Sequence, residues 1–82
     1  PSFGMVDILE LVSKVHDDRS FQSYLHSLGC THLLVQTNLF QKFLHDNYSV
    51  NTRELFIRQM SKATHVLYNQ AGCTVYEIIP ES

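Results

Sequence analysis

The sequence has no tryptophan, only three glycines and only two cysteines among its 82 residues. It also lacks any apolar run of the roughly 18 residues that a membrane-spanning helix requires, so this segment is not expected to insert into a membrane. Its six lysines and arginines are scattered and are outnumbered by eight acidic residues. Because nucleic acids and anionic lipid surfaces are bound through clustered basic side chains, we expect neither as a partner.

The chain does contain enough apolar material for a small globular domain. Hydrophobic residues make up 44% of the sequence and charged residues 17%, a balance that argues against disorder. A chain of this length forms one domain at most, so residues 1–82 are treated as a single unit with a thin core. The first residue is not methionine, and no signal peptide is visible. We therefore expect a segment excised or processed from a longer protein.

The first half of the chain predicts two helices and a buried strand. Apolar residues within 5–15 recur at helical spacing and favour a short helix, although several of them are also good strand residues. Asp18 is a suitable N-cap for a second helix, whose apolar face ends at Leu28 and which Gly29 stops. The short apolar run 31–36 then predicts a strand that is covered on both faces.

The second half predicts two more helices. Either Thr37 or Asn38 is a suitable N-cap for the first of them, which carries Phe40 on its apolar face. The second helix begins with the spacing of a capping box, in which Asn51 is the cap and Glu54 stands three residues later. Aromatic side chains on the predicted helix faces are expected to lie in the core.

The C-terminal segment predicts a β-hairpin. Residues 64–68 and 73–79 are rich in β-branched and aromatic residues, and the four residues between them include a glycine. Alternation along the last strand places one set of side chains on the same face: Cys73, Val75, Glu77 and Ile79. The element order α-α-β-α-α-β-β predicts an α/β (α+β) fold with a small three-stranded sheet and helices packed against it.

Candidate catalytic and metal-binding side chains are few and poorly spaced. The five histidines include no pair at i, i+3 or i, i+4, and the sequence has no HExxH, zinc-finger, EF-hand or nucleophile-elbow motif. His32 and His65 each follow a threonine in their predicted strands, so their imidazoles would approach if these strands were neighbours in register. Glu77 is the one acid within a predicted strand. These three are weak surface-site candidates; no catalytic residue, cofactor or metal is assigned.

Cys30 and Cys73 do not form a CxxC motif and have no further cysteine with which to build a zinc site. Two cysteines neither prove nor exclude a disulfide. Their simplest interpretation is a pair of small, buried apolar residues.

Two segments carry a resemblance to a known family. They are residues 24–35, which read YLHSLGCTHLLV, and residues 66–78, which read VLYNQAGCTVYEI. A helix ending in Leu-Gly, a Thr-His-Leu-Leu-Val strand, and a Tyr-Asn turn leading to Val-Tyr-Glu-Ile together resemble the soluble C-terminal domain of bacterial integral-membrane glycosyltransferases. These enzymes are similar to protein mannosyltransferases and lipid A aminoarabinose transferases, and they use polyprenyl-phosphate-linked sugars as donors.

The resemblance implies where the domain is located in the cell, but it does not assign a reaction to this chain. The catalytic acids of such enzymes lie in loops between membrane helices, and no position in this chain matches them. It therefore implies a non-catalytic domain on the extracytoplasmic (periplasmic) side of a bacterial inner membrane, whose partner is the remainder of a membrane-embedded parent chain. The family pattern has Val, Ile or Ala where this chain has Cys30 and Cys73. In an oxidising setting, the resemblance permits a disulfide between these two residues.

A second interpretation is a stand-alone protein-interaction module. Such a module would bind a peptide, or a second copy of the chain as a homo-oligomer, through an exposed sheet edge or through the face of helix 51–62. A third and weaker interpretation is a small enzyme built around His32, His65 and Glu77.

Overall fold

A computed structural model describes residues 2–80, which form a sheet of four strands with helices packed on one of its faces. In chain order the elements are β1 (Phe3–Gly4), α1 (Ile8–Ser13), α2 (Asp18–Ser27), β2 (His32–Gln36), α3 (Thr37–Asn47), α4 (Val50–Ala63), β3 (Thr64–Gln70) and β4 (Cys73–Ile78). The predicted α/β class and C-terminal hairpin are confirmed. Of the single domain predicted over 1–82, Pro1, Glu81 and Ser82 lie outside the described residues.

The strand order is β1-β2-β4-β3. β1 runs parallel to β2, whereas β4 lies antiparallel to both β2 and β3. The prediction of three strands omitted β1, because two residues are too few to show an alternating pattern. The carbonyl of Ser2 holds this short strand in place, since it accepts the backbone N–H groups of Thr31 and His32 at 3.0 and 2.9 Å.

The core lies between the helices and one face of the sheet. Leu33 and Ile78 point inward from β2 and β4 and are 1% and 5% exposed. They meet helix residues that include Phe21 and Phe56, whose rings pack edge to face with centroids 6.0 Å apart. Burying side chains of this size stabilises a fold by about 1.5–3 kcal/mol each, so these contacts decide which face of the sheet the helices cover.

Two helices begin at a different residue from the one predicted. Asp17 rather than Asp18 caps α2, and Ser49 rather than Asn51 caps α4; each cap accepts a backbone N–H of the first turn. The capping box predicted with Glu54 therefore does not form. In both places two short polar residues stand close together, and the one whose backbone is extended becomes the cap.

The first helix lies within its predicted range, whereas the third begins differently from the prediction. A short helix was expected within 5–15, and α1 covers Ile8–Ser13 of that range; its cap is Asp7, whose carboxylate accepts two backbone N–H groups. α3 begins without a side-chain cap. Thr37, which was one predicted cap, is its first helical residue, and its hydroxyl lies 2.6 Å from that of Thr74. This contact ties the β2–α3 junction to β4.

The hairpin turn is tighter than the four-residue loop predicted. β3 continues to Gln70, and only Ala71 and Gly72 connect it to β4. Both turn residues have positive φ, 55° and 77°. Two consecutive positive φ values are typical of the type I′ turn, whose twist matches that of the paired strands.

Cys30 and Cys73 are both free thiols, so the disulfide that the resemblance permitted is not formed. Cys73 pairs with Gln36 at the end of β2, whereas Cys30 precedes the start of that strand. Because β4 runs antiparallel to β2, the two thiols are separated by about 20 Å along the strand, at roughly 3.3 Å per residue. A disulfide requires Cα atoms within about 7 Å.

Gly4 lies so close to Cys30 that a side chain does not fit between them. A Cβ at Gly4 would lie 2.5 Å from the Sγ and 2.9 Å from the Cβ of Cys30. We expect Gly4→Ala to lower the free energy of unfolding by about 1–3 kcal/mol, as overpacking does, when measured by urea denaturation. Cys30→Ala removes the thiol and should recover part of this loss in the double variant. If the two substitutions changed the free energy of unfolding by strictly additive amounts, the close contact between Gly4 and Cys30 would be contradicted.

Asp18 joins α2 to α4 and makes stability depend on pH. Its carboxylate accepts a hydrogen bond from Gln59 Nε2 at 2.6 Å and lies 3.1 Å from Lys62 Nζ. The hydrogen bond from Gln59, followed by the hydrogen bond and charge of Lys62, lowers the pKa of Asp18 below its usual value. A carboxyl with a lower pKa in the folded state stabilises the fold above its unfolded pKa, and this stabilisation is lost as the pH falls through the folded pKa.

The free energy of unfolding should therefore decrease as the pH is lowered from about 5 into the acid range. Asp18→Asn removes one of the titrating groups, so its pH profile should be flatter than that of the wild type. Glu54→Gln is the control, because Glu54 is an exposed acid on the same helix as Lys62. Parallel profiles for the wild type and Asp18→Asn would contradict the assignment.

Candidate functional site

The side of the sheet opposite the helices is open to solvent across the described residues. In β2, Leu33 is 1% exposed, whereas the adjacent Leu34 is 58% exposed. The prediction that this strand is covered on both faces is therefore wrong. Its run of apolar residues has one side in the core and one side on an uncovered surface. We call this surface, formed by Phe3 and the outward side chains of β2, β3 and β4, the outer face.

Strand register arranges the outer face in three rows, each of which collects residues that stand opposite one another on successive strands. The first row is Phe3, His32, Glu77 and His65. The second row is Leu34, Val75 and Tyr68, and the third is Gln36, Cys73 and Gln70. An apolar row thus lies between an ionisable row and a polar row.

In the first row the imidazole of His32 is held from three directions. Its Nε2 lies 3.9 Å from the Glu77 carboxylate, and the side chains of these residues are 14% and 44% exposed. Its Nδ1 lies 2.6 Å from the Thr31 hydroxyl. The ring of Phe3 packs against it with centroids 5.6 Å apart. Glu77 is thereby the more accessible member of the pair and can accept a hydrogen bond from a partner.

The structure brings the three predicted site residues into one row, but it does not bring the two imidazoles together. β4 lies between β2 and β3, so Glu77 separates His32 from His65. With strands about 4.8 Å apart, the two histidine backbones are roughly 10 Å from each other. The condition for a shared histidine site, that their strands be neighbours, is not met.

Within residues 2–80 no three His, Cys, Asp or Glu side chains are placed to hold a metal ion. Cys73 shares the outer face with the first row, but the second row lies between them. The row of His32, Glu77 and His65 can offer a carboxylate and imidazoles to a partner surface.

Sequence reasoning missed the second row. Leu34 and Tyr68 are 58% and 47% exposed and flank Val75 on either side. The apolar character of Leu34 was interpreted as strand burial, and the alternation that would separate an outer from an inner face is absent where both faces are apolar. A contiguous group of exposed apolar side chains is typical of an interaction surface.

β3 forms one edge of the sheet, and six of its seven residues are exposed. Its register with β4 shifts between Val66 and Tyr68. Such a bulge bends an edge strand and interrupts its row of backbone donors and acceptors. The predicted partner site at a sheet edge is thus exposed but irregular, whereas the outer face is continuous.

The chain matches no protein-family model, no curated protein and no solved structure. The resemblance to membrane glycosyltransferases therefore stays a prediction. None of the helices described over residues 2–80 is both long enough and apolar enough to span a bilayer.

Leu33 and Leu34 test the assignment of the two faces, because they are adjacent and chemically identical. Leu33→Ala should lower the free energy of unfolding by about 2–5 kcal/mol, the cost of a cavity in a core. Leu34→Ala should change it by less than about 0.5 kcal/mol, as is usual for an exposed site. Urea denaturation measures both variants. Similar losses in the two would mean that something covers the outer face.

Proposed function

We propose that this chain is a non-catalytic extracytoplasmic domain of a membrane-embedded glycosyltransferase that uses a polyprenyl-phosphate-linked sugar. The observation that supports this proposal is the placement of the two resembling segments. Residues 24–35 supply most of β2, and residues 66–78 supply β4 with most of β3. Because β2 pairs with β4, the resemblance covers one continuous piece at the centre of the sheet. The chemistry would then reside in the remainder of the parent chain.

The outer face is the surface through which such a domain would contact its parent. Its apolar second row lies between two polar rows, an arrangement similar to the apolar core and polar rim of protein interfaces. The three rows extend over about 14 by 14 Å, or roughly 200 Å², at the usual strand and residue spacings. This is far less than the roughly 800 Å² per partner that stable complexes of free proteins bury. A covalent tether compensates for a small contact by raising the effective concentration of the partner.

A stand-alone interaction module is the second candidate function. The observation that favours it is the exposed edge strand β3, which could add a strand from a peptide or from a second copy of this chain. The bulge between Val66 and Tyr68 weighs against a long, regular pairing at that edge.

The open reading frame that encodes the parent separates these two proposals. Several apolar segments of about 20 residues upstream of this domain would support the membrane enzyme. A short parent without such segments would rule it out and leave the interaction module.

In a membrane-embedded parent, we expect Leu34→Asp to lower the melting temperature and to reduce the rate of sugar transfer severalfold. The reason is that the substitution places a charge in the apolar row. The isolated chain should tolerate the change, since Leu34 is 58% exposed. Val50→Asp is the matched control, because Val50 is 56% exposed and lies at the start of α4, away from the outer face. Equal behaviour of the two variants in sugar-transfer and thermal-unfolding assays would contradict docking through the outer face.

A further inference from the structure

A groove opens on the helix side of the domain, between α3, α4 and the β3–β4 hairpin. Its volume is about 530 Å³, within the ~300–1,000 Å³ typical of small-molecule sites. Six apolar side chains line it: Phe40, Leu44, Phe56, Ile57, Met60 and Val66. We call it the α3–α4 groove.

The apolar lining of this groove is continuous from solvent to the core. Ile57 and Val66 are 63% and 59% exposed, whereas Phe56 and Met60 are 3% and 7% exposed. A hydrocarbon chain entering past the exposed pair would therefore approach buried apolar side chains. The uncharged polar residues of the lining are Gln41, Ser61 and Thr64. Tyr76 also lines the groove, and burial raises the pKa of its phenol.

Arg53 is the permanently charged side chain in the lining of this groove, which contains no carboxylate among residues 2–80. Arg53 Nη1 donates to the carbonyls of Tyr48 and His45, at 2.7 and 3.3 Å. Both acceptors are neutral, and a guanidinium has five N–H donors, so Arg53 retains its charge and further donors for a ligand. The Asp46 carboxylate lies 2.8 Å from Lys42 Nζ and 3.4 Å from Nδ1 of the groove residue His45.

We propose that the α3–α4 groove binds a single-chain fatty carboxylate, with its hydrocarbon body along Phe56, Ile57 and Met60 and its carboxylate on Arg53. The apolar lining selects the hydrocarbon, and the uncompensated guanidinium selects the anionic head, because arginine and carboxylate form strong paired hydrogen bonds. This site is on the opposite side of the sheet from the outer face. Binding at the groove is therefore independent of the proposed role in a glycosyltransferase, and an experiment can contradict either proposal without affecting the other.

Three ligands with the same twelve-carbon chain and different heads test the proposal: dodecanoate, dodecanol and dodecyltrimethylammonium, each below its micelle concentration. Titrations followed by methyl and backbone NMR should show dodecanoate binding at least about tenfold more tightly than the cation, as one charge-assisted contact predicts. The shifts should centre on Ile57, Met60 and Val66. Equal affinities, absence of binding, or shifts centred on Leu34 and Val75 of the outer face would each overturn the proposal.

Variants of α4 then locate the head group. Arg53→Gln should weaken dodecanoate binding about tenfold and leave dodecanol unchanged. Arg58→Gln is the matched control, because it removes the same charge from the same helix at a residue that does not line the groove. Since Arg53 also bonds carbonyls at the end of α3, thermal unfolding of each variant must be measured in parallel.

Ile57→Glu provides a second test that does not disturb the end of α3. Ile57 is 63% exposed, so the variant should fold, and the new carboxylate should repel the ligand head while removing part of the apolar wall. Wild-type affinity for dodecanoate in both Ile57→Glu and Arg53→Gln would overturn the site. A peptide that shifted the same methyl groups while the fatty carboxylate did not would assign the groove to a protein partner instead.

Discussion

β2 and β4 pair antiparallel over five residue pairs, from His32 opposite Glu77 to Gln36 opposite Cys73. This ladder decides the positions of side chains that are far apart in the sequence. It directs Leu33 into the core and, together with the β1–β2 and β3–β4 pairings, builds the three rows of the outer face. Its antiparallel direction also places the two cysteines at opposite ends of β2. Had the pairing been parallel, two residues at the starts of their strands would have been neighbours.

Features that depend on neighbouring residues were predictable from the sequence. The helix that ends before Gly29, the helix ending at Ala63 and the C-terminal hairpin follow from periodicity and stop signals, which act within a few residues. β1, the strand order and the choice of each helix cap could not be found in this way. Ser2, which precedes β1, exchanges hydrogen bonds with Thr31 and His32, and periodicity contains no information on such distant partners.

The candidate site shows the same division. His32, His65 and Glu77 were named from their places in predicted strands, and the register does align them. The histidines were expected to meet if β2 and β3 were neighbours, but β4 separates them. The apolar row around Val75 and the α3–α4 groove were not predicted, because the type of an apolar residue does not determine whether its side chain is buried or exposed. Only the side on which the helices pack distinguishes the two.

The central position of β4 has a consequence for the order in which the sheet is assembled. β3 and β4 are joined by two residues and can pair within microseconds. The pairing of β2 with β4 is slower, because it must close a loop that contains α3, α4 and β3. During synthesis β2 emerges long before β4, its main partner. Of the described strands, only the two-residue β1 is made before β4 as a neighbour of β2, so the apolar side chains of β2 remain without the β4 ladder until then. The nascent chain is therefore most open to mispairing while α3 and α4 are being made.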